Sequence, residues 1–266
     1  MRTTVAIPLF RSSEWLDVVE RNVRRLQGVA RIIVSDPLAS DDSLEVLRER
    51  LADLDVQWLG TRPIEPGWVP HCEELRQRST TEFFMWLPHD DDIDADWVRS
   101  GERALDSEPA AILALGSVRS ADGGREIPVS PAFQRDSAAD RVRSALAEVS
   151  SGDVQLLGAA YRGVFRREQA VELPRAIPGD QWSDVLWAVR MLTRGSFAAT
   201  NAVYVKRWHD ANTHGNWTNP RSRPELYRAL ESFVAELPPA ERTSATPPLW
   251  RARMRVVAAL RRAARR

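Results

Sequence analysis

The chain is 266 residues long, 43% hydrophobic and 28% charged, with a formal net charge of +0. This is the composition of a soluble globular protein with a sizeable core, and it provides no global field to recruit nucleic acid or an acidic partner. A lone cysteine, Cys72, excludes an internal disulfide framework and a cysteine-based zinc site and fits a reducing cytoplasm; the opening MRTTVAIPLFRSSEW lacks a signal-peptide pattern, and no apolar run approaches membrane-spanning length.

Strand and helix patterns alternate through the first half. Residues 3–10 (TTVAIPLF) read as a buried strand, and Ser12 or Ser13 caps a helix whose apolar positions Trp15, Leu16, Val19, Val23 and Leu26 recur at helical spacing before Gly28 ends it. Residues 31–35 (RIIVS) form a second strand that closes on Asp36, Asp41 or Asp42 caps a helix to about Leu51, and residues 56–59 form a short third strand. A Pro/Gly-rich loop, TRPIEPGWVP, leads into a helix over 71–78. The alternation predicts a mostly parallel sheet with right-handed crossovers. No GxGxxG follows the first strand and no GxxxxGK[ST] occurs, so neither a dinucleotide site nor a P-loop is expected.

The next strand, from Phe83 to Leu87, runs straight into His89, Asp90, Asp91 and Asp92. A buried strand that stops in a cluster of carboxylates is costly unless the charges meet water, a cation or hydrogen-bond donors. Strand carboxyl ends are where open α/β sheets bind ligands. The cluster therefore reads either as a divalent-cation site for a phosphorylated substrate or as an acidic loop in which Asp92 or Asp94 caps the helix beginning ADWVRSGERAL. Further on, residues 110–118 read as a strand, Asp122-Gly123-Gly124 as a turn and residues 137–148 as a helix. After the small-residue stretch 155–165 come a helix over 182–192 ending near Gly195, a strand over 197–208, and helices near 224–235 and 248–266.

Three features stand in a telling order: a strand with IP-x-F (Ile7, Pro8, Phe10), a strand followed by VSDPLASDDS, and a strand ending LPHDDDI. That order resembles the GT-A glycosyltransferases, in particular the family-2 group of inverting enzymes. GWVPHCEELRQRSTTEFFMWLPHDDD is similar to their donor-site helix leading into the metal strand. The resemblance covers roughly residues 3–210. It implies a GT-A fold over residues 1–215, with a donor half to about 100 and an acceptor half beyond, and leaves 216–266 as a helical C-terminal extension. Ser35, His89 and Ser183 depart from the acids of the family pattern.

The resemblance also implies roles. Asp36 would accept from the nucleoside's base or ribose, with Pro8 and Phe10 lining the base pocket and Glu14 nearby; the alternatives are that Pro8 and Phe10 only pack and that Asp36 only makes an Asx turn ahead of Pro37. Asp91, with Asp90 touching ribose or metal, would hold Mn²⁺ or Mg²⁺ against the donor diphosphate, and Asp92 would cap the helix. An acceptor hydroxyl needs a base, and PGDQWSDVLWAVRMLTRG is similar to the family's base-bearing helix, so Asp184 is expected in that role with Asp180 as competitor. YVKRWHDANTH resembles the family's closing segment and implies His209 facing the metal or diphosphate, with Lys206 or Arg207 offsetting phosphate charge.

The expected function is thus a metal-dependent transfer of a sugar from a nucleoside-diphosphate sugar, UDP first, to a hydroxyl acceptor on a glycan, glycolipid or small molecule, in the cytoplasm. LWRARMRVVAALRRAARR carries seven arginines and no acid, which predicts either peripheral contact with an anionic membrane or a basic helix packed locally or on a second subunit of a homo-oligomer. Two alternatives stand beside this. A sugar nucleotidyltransferase needs a Gly-rich basic loop after the first strand, which RSSEWLDVVERN does not supply. A non-catalytic sugar-nucleotide-binding or scaffolding protein would tolerate the three departures.

Overall fold

A computed structural model describes residues 1–121, 123–124, 126–152, 154–207, 223–248 and 250–252. β1 (Thr3–Pro8) lies at the centre of the first half, with β2 (Arg31–Ser35) and β3 (Gln57–Leu59) parallel on one side and β4 (Phe83–Trp86) parallel on the other. These strands are nearly continuous apolar runs because helices cover both faces, the habit of parallel sheets; Phe83 to Trp86 are all fully buried. In register, Pro8 pairs with Ser35 and Ala6 with Trp86, so the carboxyl ends of β1, β2 and β4 open at one edge.

The covering helices follow the expected periodicity. α1 (Leu16–Leu26) buries Val18, Val19, Val23 and Leu26, preceded by a 3-10 turn at Ser13–Trp15. α2 (Ser43–Arg50) and α3 (Trp68–Arg78) follow β2 and β3, and α3 begins three residues earlier than the sequence suggests because Gly67, at φ 124°, turns the chain into it. α4 (Ala95–Ser107) starts at Asp94, whose carboxylate accepts from the Asp96 N–H at 3.0 Å, so Asp94 and not Asp92 is the helix cap.

The sheet reverses in the second half. β5 (Ala111–Ser120) carries β8 (Ser196–Lys206) parallel along one edge, while β7 (Val164–Arg166) and then β6 (Glu126–Ile127) pair antiparallel along the other; β7 also pairs antiparallel with β4 and joins the two halves. The small-residue stretch predicted only as apolar resolves into a short helix α6 (Gln155–Ala159), a 3-10 turn Ala160–Arg162 and β7. α5 (Ala138–Ser151) is capped by the Ser137 side chain and ends at left-handed Gly152 (φ 88°). α7 (Ser183–Arg194) packs on α5 and α6. Beyond it, the helix Arg223–Val234 packs on α7 and the helix Pro239–Ala245 on α5. Their buried side chains, including Leu226, Leu230 and Ala245, join the same core as the sheet, as does Trp250 beyond them. The basic segment 253–266 lies outside the described residues.

Candidate active site

A cleft of about 830 Å³ opens at the joined carboxyl ends of β1, β2 and β4. Pro8 and Phe10 both line one wall, and Phe10 is half exposed at 54%. Asp36, Pro37 and Leu38 form the β2 side, His71 and Cys72 of α3 the other, and Trp86, His89 and Tyr161 the inner end. Glu14 does not line the cleft. The chain leaves it at Arg11 (φ 49°), where the Arg11 N–H donates to Ser40 Oγ and the Ser13 N–H to Asp41, and Glu14 points to solvent from the following 3-10 turn.

Asp36 is buried at the cleft wall. Its Oδ1 accepts from the Leu38 N–H at 3.1 Å, and its Oδ2 accepts from the Ser40 N–H at 2.9 Å and the Ser40 hydroxyl at 2.8 Å. This is the Asx turn ahead of Pro37, and it uses three of the roughly four acceptor sites of a carboxylate, leaving one on Oδ1. The preceding residue, Ser35, sits in a chain that runs from half-buried to buried: the bidentate Arg62–Glu74 pair, Arg62 Nη2 donating to Ser35 Oγ at 2.9 Å, and Ser35 Oγ against His71 Nε2 at 2.7 Å. Burial, and then the Arg62 charge, push His71 down to about 4, so it is neutral at physiological pH. No sequence signal singled out this chain, yet it is built on one of the three departures from the family pattern.

The three acids after β4 have separate roles. Asp91 is fully buried: Oδ2 accepts from Arg162 Nε at 2.7 Å and from the Tyr204 hydroxyl at 3.0 Å, and Oδ1 accepts from the Arg207 N–H at 2.9 Å. The carboxylate expected to ligate a cation therefore spends three of its roughly four acceptor sites on protein donors from two other segments, the 3-10 turn at Arg162 and the β8 end. Asp92 forms ion pairs with Arg21 and Arg25 of α1 at 2.8 and 2.5 Å and, through its backbone, bridges Val205 of β8. Asn22 of α1 binds the turn between them, donating to the Asp91 carbonyl and accepting from the Ile93 N–H. Asp90 is half-buried and acts electrostatically on Lys206. His89 donates through Nδ1 to the Pro8 carbonyl at 3.3 Å, tying the ends of β4 and β1 together.

Behind Tyr161 lies a compact charge cluster. Arg162 stacks over the Tyr161 ring at 4.4 Å and approaches the Tyr204 ring at 5.8 Å. Lys206 is buried, and desolvation, followed by the Arg162 charge, lowers it to about 7 against the opposing pull of Asp91, Asp184 and Asp90. Asp184 opens α7, with Oδ1 accepting from the Val185 N–H at 2.8 Å. Burial raises its carboxyl above the ordinary range, opposed by the Val185 N–H, Lys206 and Arg162. Its competitor Asp180 is instead a loop clamp, held at φ 55° and paired with Arg175 at 3.0 Å. Ser183 Oγ is buried with no hydrogen-bond partner among the described residues. Among the described residues no group of three His, Cys, Asp or Glu side chains could hold a metal ion, and His209 lies outside them. No helix among them is long and apolar enough to cross a membrane.

No family profile and no curated protein matches the chain. Solved structures do match its fold. S. aureus TarS 1–349 in complex with UDP superposes with a TM-score of 0.66 at 14% identity, covering 91% of this chain and 68% of that one. The same protein in complex with UDP-GlcNAc gives 0.64 at 15% identity, covering 91% and 69%. Glucosyl-3-phosphoglycerate synthase from Mycobacterium tuberculosis, in complex with Mn²⁺, UDP and glucosyl-3-phosphoglycerate, gives 0.58 at 16% identity, covering 89% and 80%. The fold is the GT-A glycosyltransferase fold, a central sheet flanked by helices with a helical C-terminal region.

Proposed function

We propose that the chain is a glycosyltransferase that moves a sugar from a nucleoside-diphosphate sugar, UDP-linked by preference, to a hydroxyl acceptor by a single inverting displacement. The observation that carries this reading is the juxtaposition of the 830 Å³ cleft at the ends of β1, β2 and β4 with a buried cluster in which an acid of raised pKa, Asp184, lies within electrostatic reach of Tyr161 at the cleft's inner end. The UDP and UDP-sugar complexes of proteins with the same fold support the donor class.

In this reading Pro8 and Phe10 flank the nucleoside and Asp36 accepts from it through the free site on Oδ1. Asp184 takes the proton of the acceptor hydroxyl, and its raised pKa makes it a stronger base than a solvated carboxylate. Lys206, on the strand end that Asp91 holds, offsets the charge of the leaving diphosphate. A divalent cation would be held by Asp90 rather than Asp91, which is fully buried and paired with Arg162; a site of one carboxylate completed by phosphate and water suits Mg²⁺ or Mn²⁺. When bound, the cation supplies neutralisation of the diphosphate charge that builds as the sugar bond breaks.

A thermal-shift series with UDP-, GDP-, dTDP- and CDP-sugars, with and without Mn²⁺, tests the reading, because a ligand that binds only the folded state raises Tm by mass action. A Tm unmoved by every nucleotide sugar in both conditions refutes it.

A further inference from the structure

The geometry points to Arg175 and Asp180 as positioning residues: by docking the turn 179–182 on Gly67 and Glu65 at the cleft rim, they set where the first turn of α7 holds Asp184. The inference rests on Asp184 being the base of the glycosyltransferase reading and deepens it. α7 begins without a side-chain cap. Its N-cap residue, Trp182, makes no side-chain cap bond, and Ser183 Oγ has no hydrogen-bond partner among the described residues. The first N–H groups of a helix have no partner within it, so an uncapped first turn needs support from outside. Asp184 stands in that turn.

The entry to α7 is also strained. Gly179, Asp180 and Trp182 occupy the left-handed region, at φ 73°, 55° and 62°. Glycine adopts it freely, but Asp and above all Trp persist there only where the surroundings over-determine the backbone. The surroundings come from the donor half. Asp180 is 7% exposed, and its Oδ1 accepts from Arg175 Nε at 3.0 Å. Its Oδ2 fills the space that a side chain at Gly67 would need, since a Cβ there would lie 2.6 Å from it. Gly67 precedes the first residue of α3, so the carboxylate stands at the positive end of that helix. Arg175 extends the dock by donating through Nη1 to Glu65, and the Leu173 N–H donates to Glu73 of α3 at 2.8 Å. Arg175 and Glu65 are 40% and 67% exposed, so their pair adds little by itself. The buried Asp180, wedged between Arg175 and Gly67, holds the turn. Glu65 and Gly67 line the cleft, whereas Arg175 and Asp180 do not, so the latter two act on the base and not on the donor.

Carboxyl-carbon NMR titration of the full chain tests this. Burial keeps the Asp184 carboxyl above the ordinary aspartate range against the pull of Lys206 and Arg162, so its titration midpoint reports its placement. The parent is compared with Arg175→Met, Asp180→Gly and Asp180→Asn, the resonance being assigned by its loss in Asp184→Asn. In Arg175→Met and Asp180→Gly the midpoint falls toward the ordinary aspartate value as water reaches an undocked turn. Asp180→Asn keeps the shape against Gly67 and an oxygen for Arg175, and it holds the parental midpoint. Glycine accepts the backbone of position 180 and the Arg175 pair is part-exposed, so each variant melts within about 5 °C of the parent. A midpoint that stays parental in both Arg175→Met and Asp180→Gly overturns the assignment. So does one that falls equally in all three variants together with Tm, which is general loosening of the fold. The titration uses no ligand, so its failure leaves the glycosyltransferase reading standing; that reading fails instead when no nucleotide sugar moves Tm.

Discussion

Changing Asp91 to Asn removes one charge and almost no volume, and its cost can be worked from the partners it has. The carboxylate holds Arg162 at 2.7 Å, the Tyr204 hydroxyl at 3.0 Å and the Arg207 N–H at 2.9 Å, with both charged side chains nearly inaccessible, at 7% and 1% exposure. Removing one member of a buried pair leaves the other uncompensated, at a cost of ~3–5 kcal/mol. For a domain of this size, at ~2–4 °C per kcal/mol, the melting temperature drops by ~6–20 °C. That loss is a large share of the ~5–15 kcal/mol that holds an ordinary domain together. The expected Asp91→Asn protein is marginal and is destabilised equally in EDTA and in Mn²⁺.

The assay is thermal and urea unfolding of Asp91→Asn and, for the cycle, of Asp91→Leu, Arg162→Met and the double variant Asp91→Leu/Arg162→Met, all in EDTA. Replacing both charges by apolar groups recovers part of the loss, because no lone charge remains buried; Tyr204 and the Arg207 N–H still lack their acceptor, so recovery is incomplete. The double-mutant cycle then gives a coupling of ~2 kcal/mol or more. If Asp91→Asn melts within ~2 °C of the parent in EDTA and loses only Mn²⁺ affinity, the carboxylate is a metal ligand after all and the structural role argued from its partners is wrong.

Three further outcomes follow from the same geometry. Asp184→Asn lowers kcat by ~10²–10⁴-fold with UDP affinity unchanged, and in the parent the acid limb of kcat lies above the ordinary aspartate range, rate being lost as pH falls through the raised pKa; a limb at the value of a solvated carboxylate contradicts the burial argument. His71 has its pKa lowered from 6.5 to about 4, so between those values the unfolded chain binds the extra proton; stability is full above pH 6.5 and declines toward pH 4. The loss reaches ~3 kcal/mol at most, and the slope disappears in His71→Gln, as read from urea midpoints across that window. Gly116→Ala lowers stability by ~1–3 kcal/mol, as over-packing in a core does; its added methyl would lie 2.0 Å from the Ala202 carbonyl oxygen in β8, and an unchanged urea midpoint would show that the two strands yield.

The first half of the fold was legible because its signals are local. Apolar runs such as Ile32–Val34 and Phe83–Trp86 give way within three residues to polar ones, Ser35 and His89, and Asp94, Ser137 and Gly152 cap helices with bonds that span only a few positions. The division of labour among Asp90, Asp91 and Asp92 was not legible, since three adjacent acids are chemically identical until distant chain arrives. Arg162 of the 3-10 turn, Tyr204 and Arg207 of the β8 end, and Arg21 and Arg25 of α1 decide which acid is spent on structure, and no periodicity links any of them to the strand end. β7 was illegible for a related reason: three residues between β4 and β5, two of them buried, carry no alternation to mark a strand or its direction.

Departures from the family pattern proved more informative than the matches. Ser35, a mismatch by sequence, is the residue that passes a proton's position from Arg62 to His71, which an acid at that place, lacking a hydroxyl proton, could not do. The mismatch and the buried histidine therefore explain each other.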